Sequence, residues 1–168
     1  MLAIFIGRFQ PFHKGHLAAI KWILKREKKI FIVIGSTQES NTKQNPLLFS
    51  ERKEIIRKTL LTEKIKNFKI YGLRDSPNDV FWAQKILRLT KAKPENIIVF
   101  TQNPWTKRCF RKIKVKAKPH PLFFNKLSAT KIRNKIVQGK KWTNLVPKST
   151  LKTLKKINIK KRIQSISV

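Results

Sequence analysis

Gly7-Arg8-Phe9-Gln10-Pro11-Phe12-His13-Lys14-Gly15-His16 follows the apolar run Leu2–Gly7 and opens a segment with Leu17, Ile20, Ile23 and Leu24 at helical spacing. The pattern is strand, tight loop, helix. Gly7 lets the backbone turn at the strand end, and Gly15 permits close approach of a ligand where the first helical amides point outward. A helix start of this kind is a phosphate site. Two of the chain's three histidines, His13 and His16, fall in the loop three residues apart and can converge as the chain enters the helix. Their donors would strengthen as negative charge builds on a phosphate, and Arg8 adds a planar fork suited to phosphate oxygens. By spacing alone, a surface pair or a metal pair of histidines stays open.

The same cycle recurs along the chain. Residues 29–35 form a second apolar run ending in glycine, and residues 50–61 place Ile55, Ile56, Leu60 and Leu61 on one helical face behind a candidate Ser50 cap. Then come a strand at Phe68–Gly72, a helix near 79–89, a strand at 96–101, a short helix near 105–112 and a weaker strand at 113–115. Alternation of this kind predicts an α/β fold, a doubly wound parallel sheet with right-handed crossovers and ligands beyond the carboxyl ends of the strands. The site is expected where Gly7, Gly35, Gly72 and Thr101 end theirs. The tail adds helices at Ala129–Val137 and at 148 to about 163, separated by Gly139 and Pro147. In the last of these Leu151, Leu154 and Ile157 form an apolar stripe among Lys148, Lys152, Lys155, Lys156 and Lys160, a pattern expected to dock on the protein's own core. With no linker or repeat, residues 1–168 read as one domain with 128–168 as a C-terminal helical segment packed on it.

Composition narrows the function. The chain has 168 residues with 40% apolar content, enough for one core, and its longest apolar runs are strand-sized. A spanning helix needs about 20 apolar residues, so no membrane segment is expected; with no basic leader or cleavage site, a cytoplasmic location follows. Cys109 is the single cysteine and reads as a structural thiol; with His13, His16 and His120 beside it there is no zinc-type ligand cluster, so no protein-bound metal is expected. The charge is lopsided, with 40 Lys and Arg against 8 acids, a formal +32. Glu95 is the last acid. Such a surface attracts polyanions, which makes nonspecific nucleic-acid association possible. No zinc-finger spacing, RNA-recognition motif or compact basic arm is present, so a solvated basic surface is the simpler reading.

Gly7 to His16 resembles the first signature of the nucleotidyltransferase superfamily, a glycine, then a proline, then H-x-G-H. Leu127-Ser128-Ala129-Thr130-Lys131-Ile132-Arg133 is similar to its second, I-S-x-T-x-x-R. Two signatures in the right order, one at a strand-to-helix turn and one at a helix start, are far more specific than either alone. The G-R-F-Q-P-F-H form resembles archaeal nicotinamide-mononucleotide adenylyltransferases. So do Gly35-Ser36-Thr37-Gln38-Glu39-Ser40, Asn45-Pro46, Glu51-Arg52, Asp75 with Trp82, Asn103-Pro104, and Lys141-Trp142 with Leu145-Val146-Pro147.

The resemblance implies transfer of AMP from ATP to nicotinamide mononucleotide, giving NAD and pyrophosphate. His13, His16 and Arg133 would be catalytic; Gly7, Arg8, Phe9, Gly15, Ser128 and Thr130 would bind the ATP phosphates. Gly35, Ser36, Asp75, Trp82 and Asn103 would bind the nicotinamide mononucleotide, Trp82 by stacking, although periodicity also fits a core tryptophan there. Mg²⁺ would arrive with ATP, and the resemblance implies a homo-oligomer, a hexamer. Departures from the archaeal pattern are Lys131 for glutamate, Ala129 for glycine, Asn41 for histidine and Asp79 for asparagine. Competing expectations are an adenylyl- or cytidylyltransferase for another phosphate acceptor, such as phosphopantetheine or flavin mononucleotide, or a basic nucleic-acid-binding protein on the same fold.

Overall fold

The computed structural model describes residues 1–166. Five strands, β1 (Leu2–Gly7), β2 (Lys29–Ile34), β3 (Phe68–Gly72), β4 (Ile97–Phe100) and β5 (Lys116–Lys118), form one parallel sheet in the order β3-β2-β1-β4-β5. The strand order reverses at β1 and β4, which makes the sheet doubly wound, as the alternation predicts. The described helices are α1 (Lys14–Leu24), α2 (Phe49–Thr62), α3 (Asp79–Thr90), α4 (Pro104–Lys112), α5 (Ala129–Val137), α6 (Lys148–Lys156) and α7 (Ile159–Ile166). None is long and apolar enough to cross a membrane.

The chain divides into two compact units. The first, residues 1–7, 19–36 and 67–121, holds the whole sheet with α3 and α4. Strands β2 and β4 are buried almost throughout because they read as unbroken Val, Ile and Phe runs, the signature of a strand covered on both faces. A core of Ile4, Val33, Val99, Trp82, Ile86 and Phe110 forms around them. Each such side chain contributes about 1.5–3 kcal/mol by leaving water. Asn78 caps α3, its side chain accepting from the amide of Phe81 at 2.9 Å, and Lys91 ends that helix in a left-handed turn.

The second unit holds residues 8–18, 37–66 and the chain from 122 on, and with them the histidine loop, α2 and α5 to α7. Its helices are tied by polar contacts. The hydroxyls of Thr59 on α2 and Thr150 on α6 meet at 3.0 Å, and Ser149 donates to Thr59 at 2.8 Å. Arg162 of α7 clasps Glu51 of α2 through both guanidinium nitrogens, at 2.6 and 3.0 Å.

Three local expectations are corrected. Residues 113–115 are not the last strand: the amides of Ile113 and Val115 both return to the carbonyl of Phe110, and Lys114 sits at a φ of 57°. Those residues close the end of α4, and pairing with β4 begins at Lys116. The helix expected over 148–163 is two, because Asn158 adopts a φ of 49° and its side chain accepts from Lys161 at 3.3 Å, ending one helix and capping the next. Ser50 is not the cap of α2; that helix starts one residue earlier, and Glu51 accepts from the amide of Leu48 at 2.9 Å.

Candidate active site

The start of α1 is built by its own histidines. His13 precedes the first helical residue, and His16 lies at the third position inside. The amide of His16 donates to Nδ1 of His13, and the amide of His13 donates to Nδ1 of His16, both at 3.3 Å. This is the reciprocal arrangement of a capping box, with imidazoles in place of a hydroxyl and a carboxylate. A ring nitrogen that accepts carries no proton, so each ring is held as the tautomer with its proton on Nε2, the edge facing away from the backbone. The rings stack at 3.6 Å between centroids and 20° between planes. Burial pushes the pKa of His13 down to about 4, so it is neutral at physiological pH and a hydrogen-bond donor rather than a charge.

Gly15 makes this stack possible. A Cβ at that position would lie 3.0 Å from Cε1 and Nδ1 of His13 and 3.7 Å from the carbonyl of Leu127, the residue before Ser128. The H-x-G-H spacing thus encodes room for a ring. Phe9 and Phe12 pack on His16, with centroids 4.9 and 5.4 Å away, and Phe9 adopts a φ of 52° to do so.

The second signature reaches the same loop. Arg133 of α5 donates to the carbonyl of Gln10 at 2.7 Å and to the hydroxyl of Thr130 at 3.2 Å. Ser128 caps α5, accepting from the amide of Lys131. Burial, and then the positive charge of Arg8, lower the pKa of Arg133. A guanidinium stays charged in any protein, so two cations are held against each other where neutral donors and helix amides also gather. Such a cradle of donors would suit an anion. His13, His16, Gly15, Arg8, Phe9, Ser128, Thr130 and Arg133 all belong to this one unit.

The other expected residues lie in the sheet unit. The amide of Gly35 donates to the carbonyl of Gly7 at 3.0 Å, and nothing stands within 4 Å of where a Gly35 side chain would begin. Ser36 follows with a φ of 51°. Asp75 and Asn103 are exposed; Asn103 caps α4 by accepting from the amide of Trp105 at 2.9 Å. Trp82 is 3% exposed, packed against Trp105 and Phe110 in the core, and its buried Nε1 has no acceptor within the described residues. Asp79 is engaged by Nε1 of Trp105 at 2.9 Å and by Lys112 at 2.8 Å, and Lys112 above all keeps its carboxyl below the usual range.

A bifunctional NMN adenylyltransferase/ADP ribose pyrophosphatase from Francisella tularensis, solved with AMP and a manganese ion, superposes with a TM-score of 0.82 at 26% identity over 98% of this chain. This chain spans 51% of that protein's length. The cytidylyltransferase-like family model matches residues 4–135. Nicotinamide-nucleotide adenylyltransferase from Thermoplasma acidophilum is 38% identical, covering 98% of this chain and 91% of the relative; that from Ignicoccus hospitalis is 37% identical, covering 99% and 98%. The chain belongs to the cytidylyltransferase-like family and, within it, to the nicotinamide-nucleotide adenylyltransferases.

In this adenylyltransferase two further residues, neither of them among the expected site residues, complete the cradle. Gln10 is 1% exposed; its side-chain amide pairs in both directions with the backbone of Leu47, at 3.0 and 2.9 Å, while its carbonyl receives Arg133. Arg52 is wholly buried on α2 and donates to the carbonyl of Arg8 at 3.0 Å. The signal for Arg52 was in the sequence: with Ile55, Ile56, Thr59 and Leu60 it occupies the buried stripe of α2, where an unassigned charge asks for a partner.

Proposed function

We propose that the chain joins the adenylyl group of ATP to nicotinamide mononucleotide, with the histidine cradle holding the ATP phosphates. The observation that carries the phosphate assignment is the mutual capping of His13 and His16, which fixes two Nε2–H donors beside the cationic pair Arg8 and Arg133. A phosphate oxygen of nicotinamide mononucleotide attacks the α-phosphorus of ATP, the bond to the β-phosphate oxygen breaks, and pyrophosphate leaves with the electron pair. The attacking phosphate has a second pKa near 6 and is largely ionised at neutral pH, so no protein base is needed. No protein nucleophile takes part.

His16 donates to the charge that builds between the α-phosphate and the leaving group, His13 fixes His16, and Arg133 with Ser128 and Thr130 holds the β- and γ-phosphates at the start of α5. Gly7, Arg8, Phe9 and Gly15 shape the loop around the triphosphate. Among the described residues no three His, Cys, Asp or Glu side chains gather as metal ligands, and His13, His16, Arg8, Ser128, Thr130 and Arg133 bring no carboxylate to the cradle. Mg²⁺ therefore belongs with the ATP oxygens, and no step is assigned to it. On the acceptor side Gly35 offers open space, Ser36, Asp75 and Asn103 offer polar groups, and the unpartnered Nε1–H of Trp82 supports a polar role for that indole. The whole chain works as one nucleotidyltransferase domain.

The test is NAD formation from ATP, Mg²⁺ and nicotinamide mononucleotide, followed by enzymatic reduction of the product, with His16→Ala beside the wild type. A loss of about 10²–10³-fold in the variant is the expected size for one transition-state donor. Wild-type protein that makes no NAD, or a variant that makes it at the normal rate, would overturn the assignment.

A further inference from the structure

Helix α6 buries Thr150 and Leu154, which leaves Lys148, Lys152, Lys155 and Lys156 exposed at intervals of four, three and one on its other side. Helix α7 buries Ile159 and Ile163 and exposes Lys160 and Lys161. Among the described residues none of these six lysines is in an ion pair, and no acid occurs anywhere after Glu95. The acid that senses this face is Glu54 on α2, and its main partner is Lys58, at 2.5 Å, with Lys156 a lesser influence. Lysines three and four apart on one helix repel each other, and among the described residues no ion pair to any of them offsets that repulsion. A row of cations advancing by one helical turn, about 5.4 Å, suits a ligand with regularly spaced negative charges.

The chemistry of the face selects among polyanions. No large apolar side chain is exposed on α6 or α7, so the face lacks the wedge an interfacial helix sinks into a bilayer. It carries no Phe, Tyr or Trp either, so it has no platform on which unpaired bases could stack. What remains is recognition of backbone phosphates.

We propose that the lysine face of α6 and α7 is a sequence-independent binding surface for the phosphate backbone of duplex nucleic acid. Six phosphate contacts predict a log–log salt slope of about −5.4, which weakens binding roughly 10³-fold between 50 and 200 mM salt. The experiment is fluorescence anisotropy on a mixed-sequence 20-base-pair DNA duplex across that range. The full chain is compared with a quadruple variant, Lys148→Gln, Lys152→Gln, Lys155→Gln and Lys156→Gln. A control variant carries Lys25→Gln, Lys28→Gln, Lys91→Gln and Lys93→Gln, four exposed lysines of the sheet unit with the same change in net charge. NAD formation by all three proteins verifies folding.

The expected result is a slope of about −5.4 for the wild type and the control and about −1.8 for the α6 variant, since each of the four lysines removed lowers the slope by about 0.9. Equal losses in the two variants would assign the binding to net charge and overturn the proposal. So would an absence of duplex binding at 50 mM salt, or binding to phosphatidylserine vesicles without binding to the duplex.

Discussion

Gly15→Ala tests whether the glycine of the first signature acts through the histidine it accommodates. The new Cβ would sit 3.0 Å from two atoms of the His13 ring, against 3.4 Å for the nearest ordinary contact, so the ring must retreat by a few tenths of an ångström. That retreat disturbs the half of the cap in which the amide of His16 donates to Nδ1 of His13, and the stack of the two rings that orients His16. For stability the effects oppose: alanine in place of glycine in a helix gains up to about 1 kcal/mol, and loss of a cap costs about 1 kcal/mol. The two nearly cancel, and the expected shift in Tm is within about 4 °C. Catalysis has no such offset. A misplaced transition-state donor costs about 10²-fold in rate, roughly 2.7 kcal/mol of barrier. Thermal melts and coupled NAD assays on the same preparation separate the two outcomes. Activity within about two-fold of wild type at an unchanged Tm would show that the placement of His13 does not matter, and the argument from the cap would fail.

The pH dependence of stability isolates His13. Its folded pKa of about 4 lies below the unfolded value of 6.5, so the unfolded chain binds more protons between those values. Stability therefore rises with pH across that window and levels off above it, with about 3 kcal/mol as the ceiling. His13→Asn should flatten this rise when urea midpoints are compared at pH 4.5 and 7; a wild-type difference that persists in the variant would assign it to other groups. The Glu51–Arg162 clasp should show a coupling of about 1–2 kcal/mol in a double-mutant cycle to alanine, being bidentate and partly buried, with side-chain exposures of 15% and 24%. A coupling below about 0.3 kcal/mol would reduce it to an ordinary surface pair. Trp82→Phe removes an indole N–H that has no acceptor among the described residues and leaves a small void in the core, so the melt should fall by a few degrees while KM for nicotinamide mononucleotide rises more than KM for ATP; equal changes in both would leave Trp82 a core side chain only.

Much of the fold was legible because the buried strands are unbroken apolar runs and the helices begin at residues with recognisable local chemistry. The boundaries of β1, β3 and α5 follow from the sequence itself. The misses share a cause. At 113–115 and at Asn158 the local apolar pattern continues, but left-handed residues, Lys114 and Asn158, interrupt the backbone, and a non-glycine in that conformation leaves only a weak mark on a sequence. In the cradle the two histidines stand out by spacing, whereas Ser128, Thr130 and Arg133 are named by the resemblance; Arg133 does reach the loop of the first signature. Gln10 could not be named, because what it contributes to Arg133 is a backbone carbonyl, which has no letter in the sequence. Trp82 shows the opposite difficulty, since helical periodicity gives a core residue and a ligand-stacking residue the same address.

The interleaving of the two units sets an order of events during synthesis. Every residue of the sheet unit has been made once the ribosome passes Pro121, but the cradle needs Arg133 to reach Gln10, a separation of 123 residues, and needs α7 to reach Glu51. A nascent chain can therefore assemble its sheet early while its nucleotide cradle waits for the C-terminal helices to emerge. A chain released after residue 121 is expected to have no affinity for ATP, because Arg133 and the helices that close the cradle are missing.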